Sequence, residues 1–124
     1  MDTACPARWQ EALDRLARTD FHVLVPGHGA PMTRVDVETY RAAFAALVAC
    51  GTSTRERRAC ADGWLKDAAP LLGATDPRFV RSLVDFDVDN HLRGDAKRDA
   101  ALCGASADHR VDFAACTDTS SSWS

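Results

Sequence analysis

Trp9, Leu13 and Leu16 recur at helical spacing, with Arg8, Asp14, Arg15 and Arg18 elsewhere around the wheel. That pattern predicts an amphipathic helix over 6–18, opened by Pro6, a residue suited to the first helical turn. Residues 21–25 (FHVLV) then read as a short strand, ended by Pro26. Thr33 and Asp36 have capping-box spacing. They predict a helix over 33–49 whose apolar face is Val37, Tyr40, Phe44, Leu47 and Val48, with Gly51 as its stop. Ser53 and Glu56 repeat the capping pattern ahead of a helix with Cys60, Trp64, Ala68 and Leu71 on one side. Gly63 weakens that helix, and Pro70 kinks or ends it. Asp76-Pro77 is an N-cap followed by a first-position proline. It predicts a helix over 77–93 carrying Phe79, Val80, Leu83, Val84, Phe86 and Leu92 before Gly94. Residues 95–103 add a turn or two, and the Ser/Thr/Asp-rich stretch from 104 to 124 reads as a disordered tail.

The fold class expected is mainly α with one short strand. A strand exposes hydrogen-bonding groups along both edges, and these need partners when buried. No second run resembles a strand of matching quality, so the sheet to which residues 21–25 belong is expected to lie outside this chain. Trp9, Leu13, Leu24, Phe44, Leu47, Trp64 and Leu83 are the expected buried residues, apart from any surface left open by a missing half.

A chain of 124 residues is one domain at most, and at 46% hydrophobic and 27% charged it has the balance of a globular protein. A net charge of −3 argues against a nucleic-acid binder, and Arg55-Glu56-Arg57-Arg58 reads as a solvated helix face. No apolar run reaches the ~20 residues of a membrane span. The start, MDTACPARW, lacks the apolar stretch of a signal peptide, so the chain is expected to stay where it is made. Its five cysteines, Cys5, Cys50, Cys60, Cys103 and Cys116, instead suggest an exported ancestry. Cys50 and Cys60 flank a short turn and are the expected disulfide pair in an oxidising compartment; two reduced buried thiols are the alternative. There is no Cys-x-x-Cys.

Chemistry concentrates in VLVPGHGAP, residues 23–31. Pro26 ends strand pairing, while Gly27 and Gly29 allow backbone angles and close approaches that a Cβ forbids. His28, between them, can project past the strand end. Neutral imidazole is both a common metal ligand and a general base. A tight turn with a capping histidine is the plain alternative.

Trp9-x3-Leu13-x2-Leu16, then Val23-Leu24-Val25-Pro26-Gly27-His28-Gly29-Ala30-Pro31, then a helix with Tyr40, resembles the C-terminal end of metallo-β-lactamase-fold hydrolases. The resemblance covers residues 5–50, and more loosely those to Leu92. It implies that residues 1–50 close an αββα sandwich, that 51–103 form a helical C-terminal extension, and that 104–124 lie beyond both. Cys60, Trp64 and VDFDVDNHLR look like the extension of some secreted or periplasmic members. It further implies that His28 binds the second metal of a dinuclear, usually zinc, site, and that the family's reaction is metal-assisted hydrolysis. The chain departs from the family in lacking His-x-His-x-Asp-His, the middle histidine and the bridging aspartate. Of the other histidines, His22 reads as a surface or partner-facing residue, His91 as a helix-end cation and His109 as part of the tail. One histidine cannot hold a catalytic zinc, which takes about three protein ligands.

The expectation is therefore a truncated hydrolase of this superfamily, inactive alone. Its partners would be a missing N-terminal half and, in the full-length form, a small-molecule substrate, with neither nucleic acid nor membrane. A small helical protein-interaction module is the alternative, and a thiol-based or disulfide-stapled protein using Cys50, Cys60 and Cys103 is a third reading.

Overall fold

Pro6 fixes the first turn of a helix, α1 (Pro6–Arg18), and Thr19 closes it by donating its backbone N–H to the Leu16 carbonyl. The chain then enters β1 (Val23–Leu24), turns through residues 25–31, and returns as β2 (Met32–Thr33). Four helices follow: α2 (Arg34–Gly51), α3 (Arg57–Asp67), α4 (Ala69–Leu72) and α5 (Pro77–Asp87). α5 runs into a π-helical turn (Val88–Leu92), and α6 (Ala96–Gly104) comes last. This computed structural model describes residues 5–104; the expected tail and His109 lie outside them.

The mainly helical class is found, but the solitary strand is not. β1 pairs antiparallel with β2, Val23 opposite Thr33 and Leu24 opposite Met32. Two residues following a proline give no readable alternation, so β2 is invisible to periodicity. The described residues hold only this two-stranded sheet and no αββα sandwich.

Capping chemistry explains the helix boundaries. Thr33 Oγ1 accepts from the Asp36 N–H while Asp36 accepts from the Thr33 N–H at 2.8 Å, completing the expected box at the start of α2. Asp36, with its carboxyl held below the usual range by these Thr33 hydrogen bonds, is stabilised as the anion. The second expected box does not form. Ser53 Oγ donates to the Cys50 carbonyl at 2.6 Å instead, which leaves Glu56 as an N-cap without a side-chain bond. Asp76 caps α5 through the Arg78 N–H as expected. The helix anticipated around Gly63 and Pro70 breaks at Ala68, and Pro70 falls in the first turn of α4.

The core lies where α2, α3, α5 and the π turn meet. Leu47, Cys50, Cys60, Ala61, Val80, Val84 and Val88 fill it, with Trp64, Leu65, Leu72 and Leu92 packed around them. Of the expected buried residues, Leu13, Phe44 and Leu47 are buried, and Leu24 and Trp64 are half-buried. Trp9 and Leu83 are instead 42% and 49% exposed. On α5 the inward positions are Val80 and Val84, continued by Val88, which turns Phe79, Leu83 and Phe86 to the surface. The periodicity held two apolar stripes and could not choose between them.

Two disulfides staple this body. Cys50–Cys60, the expected pair, joins the end of α2 to α3 with Cα atoms 5.5 Å apart. Cys5–Cys103 ties the residue before α1 to α6, with Cα atoms 4.9 Å apart. Arg93 makes a second clamp, donating to the Gly51 carbonyl at 2.7 Å and to the carbonyls of Cys50 and Arg55. It thereby satisfies acceptors that the end of a helix leaves open.

Candidate functional site

The loop bearing His28 is positioned from below by Arg34, the first residue of α2. Its guanidinium donates to the Ala17 carbonyl at 2.9 Å and to the Thr19 carbonyl at 2.7 Å, closing the C-terminal end of α1. The same group lies 4.6 Å over the Phe21 ring. Asp14 of α1 adds an ion pair to Arg41 of α2 at 2.7 Å. The base of the hairpin is thus fixed between two helices. Sequence reasoning missed Arg34, because a cation at a helix start is disfavoured by the dipole and reads locally as surface.

From that base, Val25 and Pro26 carry the chain out of the sheet, and His28 stands exposed in the bend. Gly29 has φ +98°, a conformation in which a side chain is strained, so glycine is required there. Gly27 has no such constraint, and a Cβ on it would meet nothing within 4 Å. Beside the loop, Val23 and Val25 are 60% and 77% exposed, while Leu24 between them is half-buried. Val23 in β1 and Val25 just beyond it thus leave apolar surface uncovered beside the loop.

His28 is the expected metal ligand, and it stands exposed in the bend. No group of three His, Cys, Asp or Glu side chains able to hold a metal occurs among the described residues. These residues do not by themselves fit a zinc centre. His22 is exposed just before β1. His91 lies in the last turn of the π segment, the helix-end position anticipated for it, and is buried there, its ring edge-on to Phe86 and its Nε2 3.7 Å from Asp87.

A concavity of about 530 Å³ lies elsewhere, lined by Glu56, Arg57, Arg58, Arg81, Asp85 and Asp89. Its charges are largely matched within the chain. Arg57 pairs with Asp89 and lies 3.5 Å from Asp85, and Arg81 pairs with Asp62 at 2.6 Å. Asp89, then Asp85, raise the Arg57 pKa further above its usual value. Arg57, expected to be merely solvated, thus bridges α3 to α5 and the π turn. No helix among the described residues is long and apolar enough to cross a membrane. No family model, curated protein or solved structure matches the chain.

Proposed function

We propose that the chain supplies the closing segment of a metallo-β-lactamase-superfamily hydrolase, with His28 as the last ligand of a dinuclear zinc site. On this reading residues 1–50 complete the sandwich, and 51–103 are a helical extension braced by Cys50–Cys60. The remaining ligands come from polypeptide outside the described residues, and the chain alone hydrolyses nothing. The observation that carries the reading is the exposed His28, held on a glycine-flanked bend just past β1, with Val23 of that strand and Val25 beyond it uncovered. A turn that merely reversed the chain would need Gly29 but gains nothing from glycine at 27 or from Val23 and Val25 facing outward. A second apolar layer laid on β1 would cover those valines, and the loop would then point at whatever that layer carries.

Phe79, Leu83 and Phe86, exposed along one face of α5, favour the second reading, a helical protein-interaction module. Translating the coding sequence upstream of Met1 discriminates the two. An in-frame His-x-His-x-Asp-His within about one domain's length supports the hydrolase reading; its absence there sinks it.

A further inference from the structure

α5 carries apolar side chains on two faces. Val80 and Val84 turn into the core, while Phe79, Leu83 and Phe86 form a second stripe that stays about half exposed. Its spacing, four residues and then three, is that of the contact positions between paired helices. Ser82, a small residue beside Leu83, is exposed next to the stripe. The charges along the helix are divided by halves. Arg78 and Arg81 lie toward its N-terminal end, Asp85 and Asp87 toward its C-terminal end, and Asp89 follows in the π turn. A second α5 laid antiparallel brings each basic half against an acidic one, whereas a parallel copy sets like charge against like. The Arg78 guanidinium has no partner among the described residues. Arg78 and Asp85, seven residues apart, share one flank of the stripe.

We propose that this face is a homodimer interface, with α5 of one copy packed antiparallel on α5 of a second about a twofold axis. With the axis between Ser82 and Leu83, Phe79 of one copy meets Phe86 of the other, and Leu83 of each lies over the small Ser82 of the other. The same register brings Arg78 of one copy within ~3 Å, along the helix axis, of the level of Asp85 of the other. Arg57 pairs with Asp89 and reaches Asp85 only at 3.5 Å, so Asp85 keeps accepting capacity for Arg78. Two phenylalanines and a leucine, half covered already, contribute roughly 300 Å² per copy. That is short of the ~800 Å² per partner of a stable complex, so the dimer is a reversible one. The interface rests on α5 and not on His28, and its failure leaves the hydrolase reading untouched.

The test is sedimentation equilibrium of the whole chain with both disulfides intact, from micromolar to millimolar concentration, beside Leu83→Glu and Arg78→Glu. The expected result is a concentration-dependent monomer–dimer equilibrium. Leu83→Glu, at a surface position, should keep its helicity and urea midpoint yet stay monomeric throughout. Arg78→Glu should weaken association about tenfold in low salt, with the difference shrinking as salt screens the pair. Cysteine cross-linking in a Cys116→Ser background reads the register. Mild oxidation should join two Ser82→Cys chains, whose new thiols lie near the axis, but not two Thr75→Cys chains, whose thiols stand ~20 Å apart along it. A chain monomeric to the top of the range, a dimer indifferent to Leu83→Glu, or Thr75→Cys joining as readily as Ser82→Cys would overturn the proposal. The first of these outcomes would leave the stripe to a partner of different sequence.

Discussion

Replacing Gly51 with alanine sets two effects of opposite sign against each other. Gly51 ends α2, where alanine in place of glycine gains about 0.5–1 kcal/mol of helix propensity. A Cβ at that position, however, would stand 2.9 Å from Leu92 Cβ and 3.1 Å from its Cγ, with Cδ1 nearer still. The first of these contacts is to the root of the Leu92 side chain, which cannot swing away without moving the π turn. Arg93, the next residue, is bonded to the Gly51 carbonyl at 2.7 Å and resists that movement. Overpacking of this kind costs about 1–3 kcal/mol. The clash wins, and Gly51→Ala should destabilise by about 1 kcal/mol. In a Leu92→Ala background Cγ and Cδ1 are gone while the 2.9 Å contact to Cβ remains, so the same substitution should cost less than it does with Leu92 present. Urea denaturation of the four proteins of this cycle, with disulfides intact, measures the coupling. A Gly51→Ala chain more stable than its parent while Leu92 is present would refute the close approach of α2 to the π turn.

Arg93→Ala should cost about 1–2 kcal/mol, since it removes charge-assisted bonds to the end of α2 from a largely exposed side chain; urea midpoints check this. Cys50→Ala/Cys60→Ala should lose about 2.7 kcal/mol, the loop-closure value for a separation of 10 residues, again by denaturation. Asp36 has its pKa lowered in the fold, so its contribution is present above its ordinary value of 3.8 and is lost as pH falls through the depressed one. Acid titration of helicity should therefore show a low-pH loss that Asp36→Asn flattens, and an unchanged acid limb in that variant would contradict the capping box.

The sequence disclosed these features unevenly, for physical reasons. Leu13 and the Thr33–Asp36 box were legible because helical spacing and capping are local, and each fixes its own segment. Trp9 keeps the same helical period yet lies exposed, since period identifies a stripe and does not say what covers it. On α5 the expected core residue is Leu83, but three valines at i, i+4 and i+8 take that place. Ser53 had the right spacing for a cap and spent its hydroxyl on the Cys50 carbonyl, a competition only the three-dimensional turn reveals. The Cys50–Cys60 bond was readable because only a turn separates its ends. Cys5–Cys103 joins residues 98 positions apart and left no local trace. At the candidate site, His28 and its glycines stood out by composition, while Arg34 acts through two carbonyls and an aromatic ring from across the hairpin.

The most direct measurement is zinc per chain, taken with turnover on a panel of lactam, lactone and thioester substrates. It should be made on the 124-residue chain and, if upstream translation yields His-x-His-x-Asp-His in frame, on a single polypeptide joining the two. The isolated chain should bind zinc weakly and hydrolyse nothing, whereas the joined polypeptide should hold about two zinc ions, the dinuclear complement of two-metal hydrolytic sites. His28→Ala in the joined form should lower metal occupancy and turnover together while leaving its helicity intact. Tight stoichiometric zinc on the isolated chain, or full activity of the joined His28→Ala protein, would contradict the assignment of His28.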